Sequence, residues 1–249
     1  MRTLLEEEYA PITRQIGFIR ADVDRVADEF VVWMQGLGKY AGRSAHGLPS
    51  LRDALELLPP LTTELRRSLF VQRENGWTAC FNNLYSGSDV LSTCWTVARR
   101  LRTDCVQITS VPNIRRGGRL RYGSVQFSLR RFERDDPSSS LEHDRSRDRV
   151  VYASNDGGRW VFDAVGEVQP FEQTAQYTAR PIRKRFTSQM LADYCEALGI
   201  SPFDEHSYLG RSIIVETTIA RPDREKARTL AQAREWLNIE AGDAARYDG

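Results

Sequence analysis

Apolar residues recur along this chain with two periods, and the switches between them mark out most of its elements. Gln15-Ile16-Gly17-Phe18-Ile19 reads as a short strand. Val23, Val26, Ala27, Phe30, Val31 and Met34 then follow a helical period, so a helix is expected at about 22–35. Asp22 is its N-cap, and Gly36 and Gly38 end it. Residues 36–49 are Gly-rich, carry no period and read as irregular. Ser50 is placed to cap a short helix at about 51–58, which Pro59-Pro60 stops. Strand-like runs at 68–72 and 77–81 flank Glu74-Asn75-Gly76. The Asn-Gly pair predicts a tight hairpin, because both residues tolerate positive φ. A polar turn covers 82–88, and Ser88 can cap a helix at about 89–102 with Leu91, Cys94, Trp95, Ala98 and Leu101 on one face.

The second half begins with an alternating strand at 105–109. Val125, Phe127 and Leu129 mark another strand within 122–132, whose expected partner is 149–153. Between these two, residues 133–148 are almost wholly polar with mixed charge and read as a long exposed loop. The turn Asn155-Asp156-Gly157-Gly158 predicts a hairpin over 149–163, and 165–186 read as irregular with one helical turn near 171–177. Thr187 or Ser188 caps a helix at about 189–198, with Met190, Leu191, Tyr194, Cys195 and Leu198 on its face and Gly199 closing it. Residues 213–219 are β-branched and read as a buried strand. Pro222 is placed to open a last helix at about 222–238, with Leu230, Ala233, Trp236 and Leu237 on one face, before a frayed tail from Ala241. Hairpins with interspersed helices predict an α+β fold: a mainly antiparallel sheet with about four to five helices packed on it. We read 1–249 as one α+β domain, with 1–64 as a candidate helical N-terminal subdomain.

Composition narrows the class. The chain has 249 residues, 41% hydrophobic and 28% charged, which excludes collagen-like, low-complexity and wholly disordered chains. The acidic N-terminus lacks the apolar core of a signal peptide, and no run approaches a membrane span, so a cytoplasmic protein with no membrane contact is expected. Cys80, Cys94, Cys105 and Cys195 lie in apolar stretches without a C-x-x-C pair and read as buried reduced thiols. All of the 35 basic residues except Lys39, Lys184 and Lys226 are arginine, a bias that a GC-rich genome explains for the whole chain. A net charge of +1 argues against a general nucleic-acid binder.

Specific chemistry is sparse. His46, His143 and His206 are isolated, so no metal site is expected, and no phosphate loop or dinucleotide fingerprint occurs, so no cofactor is expected. No residue is assigned a catalytic role. An enzyme would have to assemble its acid/base groups from distant positions, with Asp89, Asp163 or His206 as the candidates. Charge is segregated: between 115 and 134 seven arginines face one acid, Glu133, and Arg180, Arg183, Lys184 and Arg185 form a second cluster. Arg115, Arg116, Arg119 and Arg121 are thus candidate contacts to a phosphate or an acidic partner. Trp77 and Trp160 each begin a strand after a tight turn, where one face is often exposed. With Asn82, Asn83 and Asp89 of the polar turn, they are candidate interface residues.

Four phrases carry a resemblance: Trp77-Thr78-Ala79-Cys80-Phe81-Asn82-Asn83, Gly157-Gly158-Arg159-Trp160-Val161-Phe162, Gln169-Pro170-Phe171-Glu172 and Arg185-Phe186-Thr187-Ser188-Gln189-Met190-Leu191. Together they resemble a group of uncharacterised bacterial proteins of actinomycete type over about residues 65–200. In general character such α+β chains are similar to immunity proteins, which bind and neutralise toxins. The expectation is therefore a non-enzymatic binding protein with a protein partner. An enzyme of dispersed Asp/His residues and a nucleic-acid-associated protein using the Arg-rich loop are the alternatives.

Overall fold

The computed structural model describes residues 1–85, 90–113, 115–116, 119–120, 123–132, 148–218 and 226–240, with the backbone alone at 115–116, 119–120 and 209. Its strands are β1 (Gln15–Ile19), β2 (Ala41–Gly47), β3 (Arg67–Arg73), β4 (Thr78–Asn82), β5 (Cys105–Val111), β6 (Arg115–Arg116), β7 (Arg119–Leu120), β8 (Gly123–Arg130), β9 (Arg149–Asn155), β10 (Val161–Gly166) and β11 (Tyr208–Thr217). The helices are α1 (Val23–Gly36), α2 (Leu51–Leu55), α3 (Val90–Leu101), α4 (Ser188–Glu196) and α5 (Leu230–Leu237). Nine strands form one antiparallel sheet in the order β10-β9-β8-β5-β1-β4-β3-β11-β2, and β6-β7 is a separate two-residue ribbon. The fold is α+β, as the hairpin pattern predicts.

Local signals account for the short-range geometry. The side chains of Asp22, Ser50 and Thr187 accept from Asp24 N, Asp53 N and Met190 N at the starts of α1, α2 and α4. Asn75 and Gly76 take φ of 58° and 75° in the β3–β4 turn. The expected partners pair as β8–β9–β10, in a register that sets Phe127 opposite Val151 and Phe162 opposite Ala153.

The sheet is covered on both faces. On one, Val26, Phe30 and Met34 of α1 and Val90, Cys94 and Val97 of α3 pack on Phe70, Cys80 and Ile213. Gly17 makes this possible: a Cβ there would lie 1.9 Å from Cys94 Sγ, so α3 sits directly on the β1 backbone. On the other face, Leu51 and Leu55 of α2, Met190, Leu191 and Tyr194 of α4 and Ala233 of α5 cover Phe18, Val71, Phe81, Ile108 and Phe127.

Three expectations change. Residues 36–49 are not all irregular: Ala41–Gly47 is the edge strand β2, paired along β11. Its small, polar sequence carries no hydrophobic period because much of it is exposed; the β11 backbone specifies it instead. The last helix begins after Thr229: residues 226–229 are not helical, and the expected start at Pro222 lies outside the described residues. Thr229 and Gln232 form a reciprocal capping box, and the Arg228 backbone is committed to an antiparallel bridge with Leu61. The buried strand near 213–219 begins earlier, at Tyr208, with a register shift before Ser212. Residues 1–64 supply β1 at the middle of the sheet and β2 at its edge. The loop at 133–148 lies outside the described residues except for Asp148.

Candidate functional site

The structure separates the acid/base candidates. Asp163 is on the edge strand β10, and His206 lies in a short turn just before β11. Seven strand spacings lie between these strands, roughly 30 Å. Asp163 Oδ1 accepts the N–H of Ala164 at 2.8 Å, and the N–H of His206 donates to Asp204 Oδ1 at 3.0 Å. Asp156 is an exposed turn residue, and Asp89 and His143 lie outside the described residues. Among the described residues no group of His, Cys, Asp and Glu could hold a metal ion. The four cysteines are buried thiols, and burial pushes those of Cys105 and Cys195 up from their ordinary pKa.

The proposed interface residues are mostly internal. Trp77 is 2% exposed and its Nε1 donates to the Leu198 carbonyl at 3.1 Å, so it is a core residue and not an exposed anchor. The tight turn brings it under the loop after α4, which sequence adjacency does not show. Asn82 Oδ1 accepts the N–H of Leu84 at 3.1 Å. Asn83 Oδ1 accepts the N–H groups of Arg66 and Arg67 at 3.1 and 3.0 Å, while Nδ2 donates to the Pro60 carbonyl at 3.0 Å. Both asparagines are buried brackets between backbone segments. Trp160 is partly buried against the core. Arg115 pairs with Leu120 and Arg116 with Arg119 in the β6-β7 ribbon; the side chains of these three arginines, and all of Arg121, lie outside the described residues.

Two other surfaces stand out. The first is the β9–β10 end of the sheet, where the two helices of one face do not reach. Val161 and Val165 of β10 are 53% and 57% exposed there, and Asp163 lies between them. The opposite side of this end is covered by 167–187. A buried network holds that segment. Arg149 of β9 donates Nε and Nη2 to Glu172 at 2.8 and 2.6 Å, and Nη1 to the Gly166 carbonyl at 3.1 Å. Glu172 also accepts the N–H of Gln169 at 2.8 Å and the Tyr177 hydroxyl at 2.6 Å, and Tyr177 meets the Tyr194 hydroxyl at 2.9 Å. Burial raises the pKa of both tyrosines, so their hydroxyls stay protonated. Burial also opposes ionisation of Glu172, but its hydrogen bonds from Arg149, Gln169 and Tyr177 outweigh it and hold the carboxyl below its ordinary value.

Residues 173–187 in this segment contain four cations and no acid. Arg185 Nε donates to the Ala179 carbonyl at 2.9 Å and its guanidinium lies 5.8 Å from the Phe162 ring centre. Arg180, Arg183 and Lys184 are exposed, and among the described residues no ion pair engages them. The cluster is legible in the sequence; its rigid mounting on β9 and β10 is not.

The second surface is a cleft of about 800 Å³ lined by Lys226, Ala227, Arg228, Gln232, Glu235 and Trp236. The guanidinium of Arg228 lies 5.1 Å from the Tyr85 ring centre and 5.4 Å from that of Trp236, and the two rings meet edge to face at 5.3 Å. Sequence periodicity puts Trp236 on the buried face of α5, yet it is 50% exposed. It stands at the margin of the stripe formed by Leu230, Ala233 and Leu237, where a large ring reaches past the helix edge.

No family model, curated protein or solved structure matches this chain. Among the described residues no helix is long and apolar enough to cross a membrane.

Proposed function

We propose that this is a non-enzymatic binding protein of the cytoplasm, of immunity-protein character, that holds an acidic protein partner at the β9–β10 end of its sheet. The observation that carries the reading is the acid-free segment 173–187, whose exposed Arg180, Arg183 and Lys184 stand on a frame locked by the Arg149–Glu172 pair. A guanidinium pairs with a carboxylate through two parallel hydrogen bonds, and a rigid mounting reduces the ordering cost of binding. Val168, exposed in the same segment as the cations, favours a protein over a phosphate backbone because it supplies apolar contact area, and Val161 and Val165 extend that area around the edge strand onto the other side of the sheet end. The wide separation of Asp163 and His206 weakens the enzymatic alternative.

The test is co-purification from native host cells with the wild-type chain and with Arg180→Glu/Arg183→Glu/Lys184→Glu. The retained protein is identified, purified and titrated against both forms at increasing salt. An acidic protein held by the wild type, released by salt and lost from the variant is the expected result. Retention of the same protein by the variant would refute the assignment of this surface. Recovery of nucleic acid in its place would favour the alternative reading.

A further inference from the structure

The cleft beside α5 is independent of the β10 surface, and its walls are built rather than incidental. The Arg228 backbone is pinned by reciprocal hydrogen bonds with Leu61, N–H to carbonyl at 2.7 and 2.8 Å. The Tyr85 N–H is held by the Thr62 carbonyl at 3.2 Å. The Thr229–Gln232 capping box sets the start of α5, and so the direction of Trp236. Arg234 of the same helix donates to the Glu8 carbonyl at 2.8 Å, tying α5 to the N-terminal turn.

These anchors leave unsatisfied chemistry in the cleft. Arg228 lies against two aromatic rings that also touch each other, with no carboxylate partner among the described residues, and its Nε is buried without an acceptor. A cation held on ring faces, with N–H groups unspent, is poised for an anion. Lys226 adds a second cation to the lining. The half-exposed Trp236 ring offers a stacking surface, which a bare phosphate or carboxylate would not use. Glu235 lines the same space and can accept from ring amino groups or sugar hydroxyls. A volume of about 800 Å³ lies within the range of small-ligand sites.

We propose that this cleft binds a nucleotide, with the base on Trp236 and the phosphate at Arg228 and Lys226. The full chain is titrated with adenosine monophosphate, adenosine, inorganic phosphate and a short single-stranded oligonucleotide, followed by tryptophan fluorescence. Adenosine monophosphate should quench saturably, and adenosine should bind about tenfold more weakly, since it lacks the charge-assisted contacts. Phosphate alone should not quench. Trp236→Phe should abolish most of the quenching, and Trp236→Ala should weaken binding by about fivefold or more. Lys226→Gln, at an exposed position, should lower affinity for the nucleotide and leave that for adenosine unchanged, with an unaltered circular dichroism spectrum as the fold control. An oligonucleotide that binds more tightly, with a steep salt dependence, identifies a nucleic-acid strand as the source; equal binding by the monophosphate identifies a free nucleotide. Equal affinity for nucleotide and nucleoside, quenching that persists in Trp236→Phe, or no saturable quenching by any nucleotide would overturn the proposal. None of these readouts depends on the protein partner proposed for the β10 surface.

Discussion

Replacing Arg149 by Met removes a guanidinium and keeps most of the side-chain volume. In the folded protein the Arg149 and Glu172 side chains are 2% and 0% exposed, with the two-point contact at 2.8 and 2.6 Å. The variant leaves Glu172 its hydrogen bonds from Gln169 and Tyr177 but no opposite charge. Orphaning a buried charge in this way costs about 3–5 kcal/mol. That is a large fraction of the roughly 5–15 kcal/mol that holds a domain folded. The loss depends on pH with a definite sign. In the wild type the folded pKa of Glu172 is depressed. Its contribution is therefore full above the ordinary carboxylate pKa of about 4.3 and fades as pH falls through the lower folded value. In Arg149→Met, burial is no longer offset by the guanidinium and the Glu172 pKa rises. The variant can then relieve its penalty by taking up a proton. Urea unfolding followed by tryptophan fluorescence should show the full loss at neutral pH and a smaller one near about pH 5. Arg149→Met/Glu172→Leu should recover much of the stability, because no buried charge remains. A loss below about 1 kcal/mol, the level of an exposed pair, would refute the reasoning. So would a double variant no more stable than the single one.

Other outcomes follow from close approaches and from the sheet edge. Gly17→Ala should destabilise by about 1–3 kcal/mol through the clash with Cys94, and adding Cys94→Ala should recover part of it in thermal unfolding. Simply additive losses would count against that contact. Gly166 has a φ of +91°, and a Cβ there would lie 1.6 Å from the Asp148 carbonyl oxygen. Gly166→Ala should therefore cost about 3 kcal/mol or more, measured by chemical denaturation. Asp163→Ala should uncover the Ala164 N–H on the edge strand and increase self-association in light scattering, with circular dichroism unchanged. A variant as monodisperse as the wild type would show that the carboxylate does not protect this edge.

Legibility in the sequence tracks the range of the interactions involved. The caps at Asp22, Ser50 and Thr187 and the positive φ of Asn75 and Gly76 concern residues within three positions of one another, and all could be read from adjacent residues. Edge strand β2 escaped the pattern because its register is set by β11, far along the chain. For the candidate sites the split is sharper. The Arg180–Arg185 cations are visible as a run, but the mounting of their segment depends on Arg149 and Glu172, which meet only in the folded chain. Trp77 and Trp236 exchange their expected roles. A helix-end carbonyl buries the first, and the narrow apolar stripe of α5 leaves the second half exposed.

By itself the sequence determined the class of fold, the hairpins, the starts of α1, α2 and α4 and the segregation of charge, since period, capping and turn conformation are local properties of the chain. Only the tertiary structure decided the order of the strands beyond those hairpins, which asparagines are brackets rather than contacts, and that Tyr85, Arg228 and Trp236 share one cleft. Those outcomes rest on hydrogen bonds and packing between residues that meet only once the core closes, as Arg234 meets Glu8 across 226 positions.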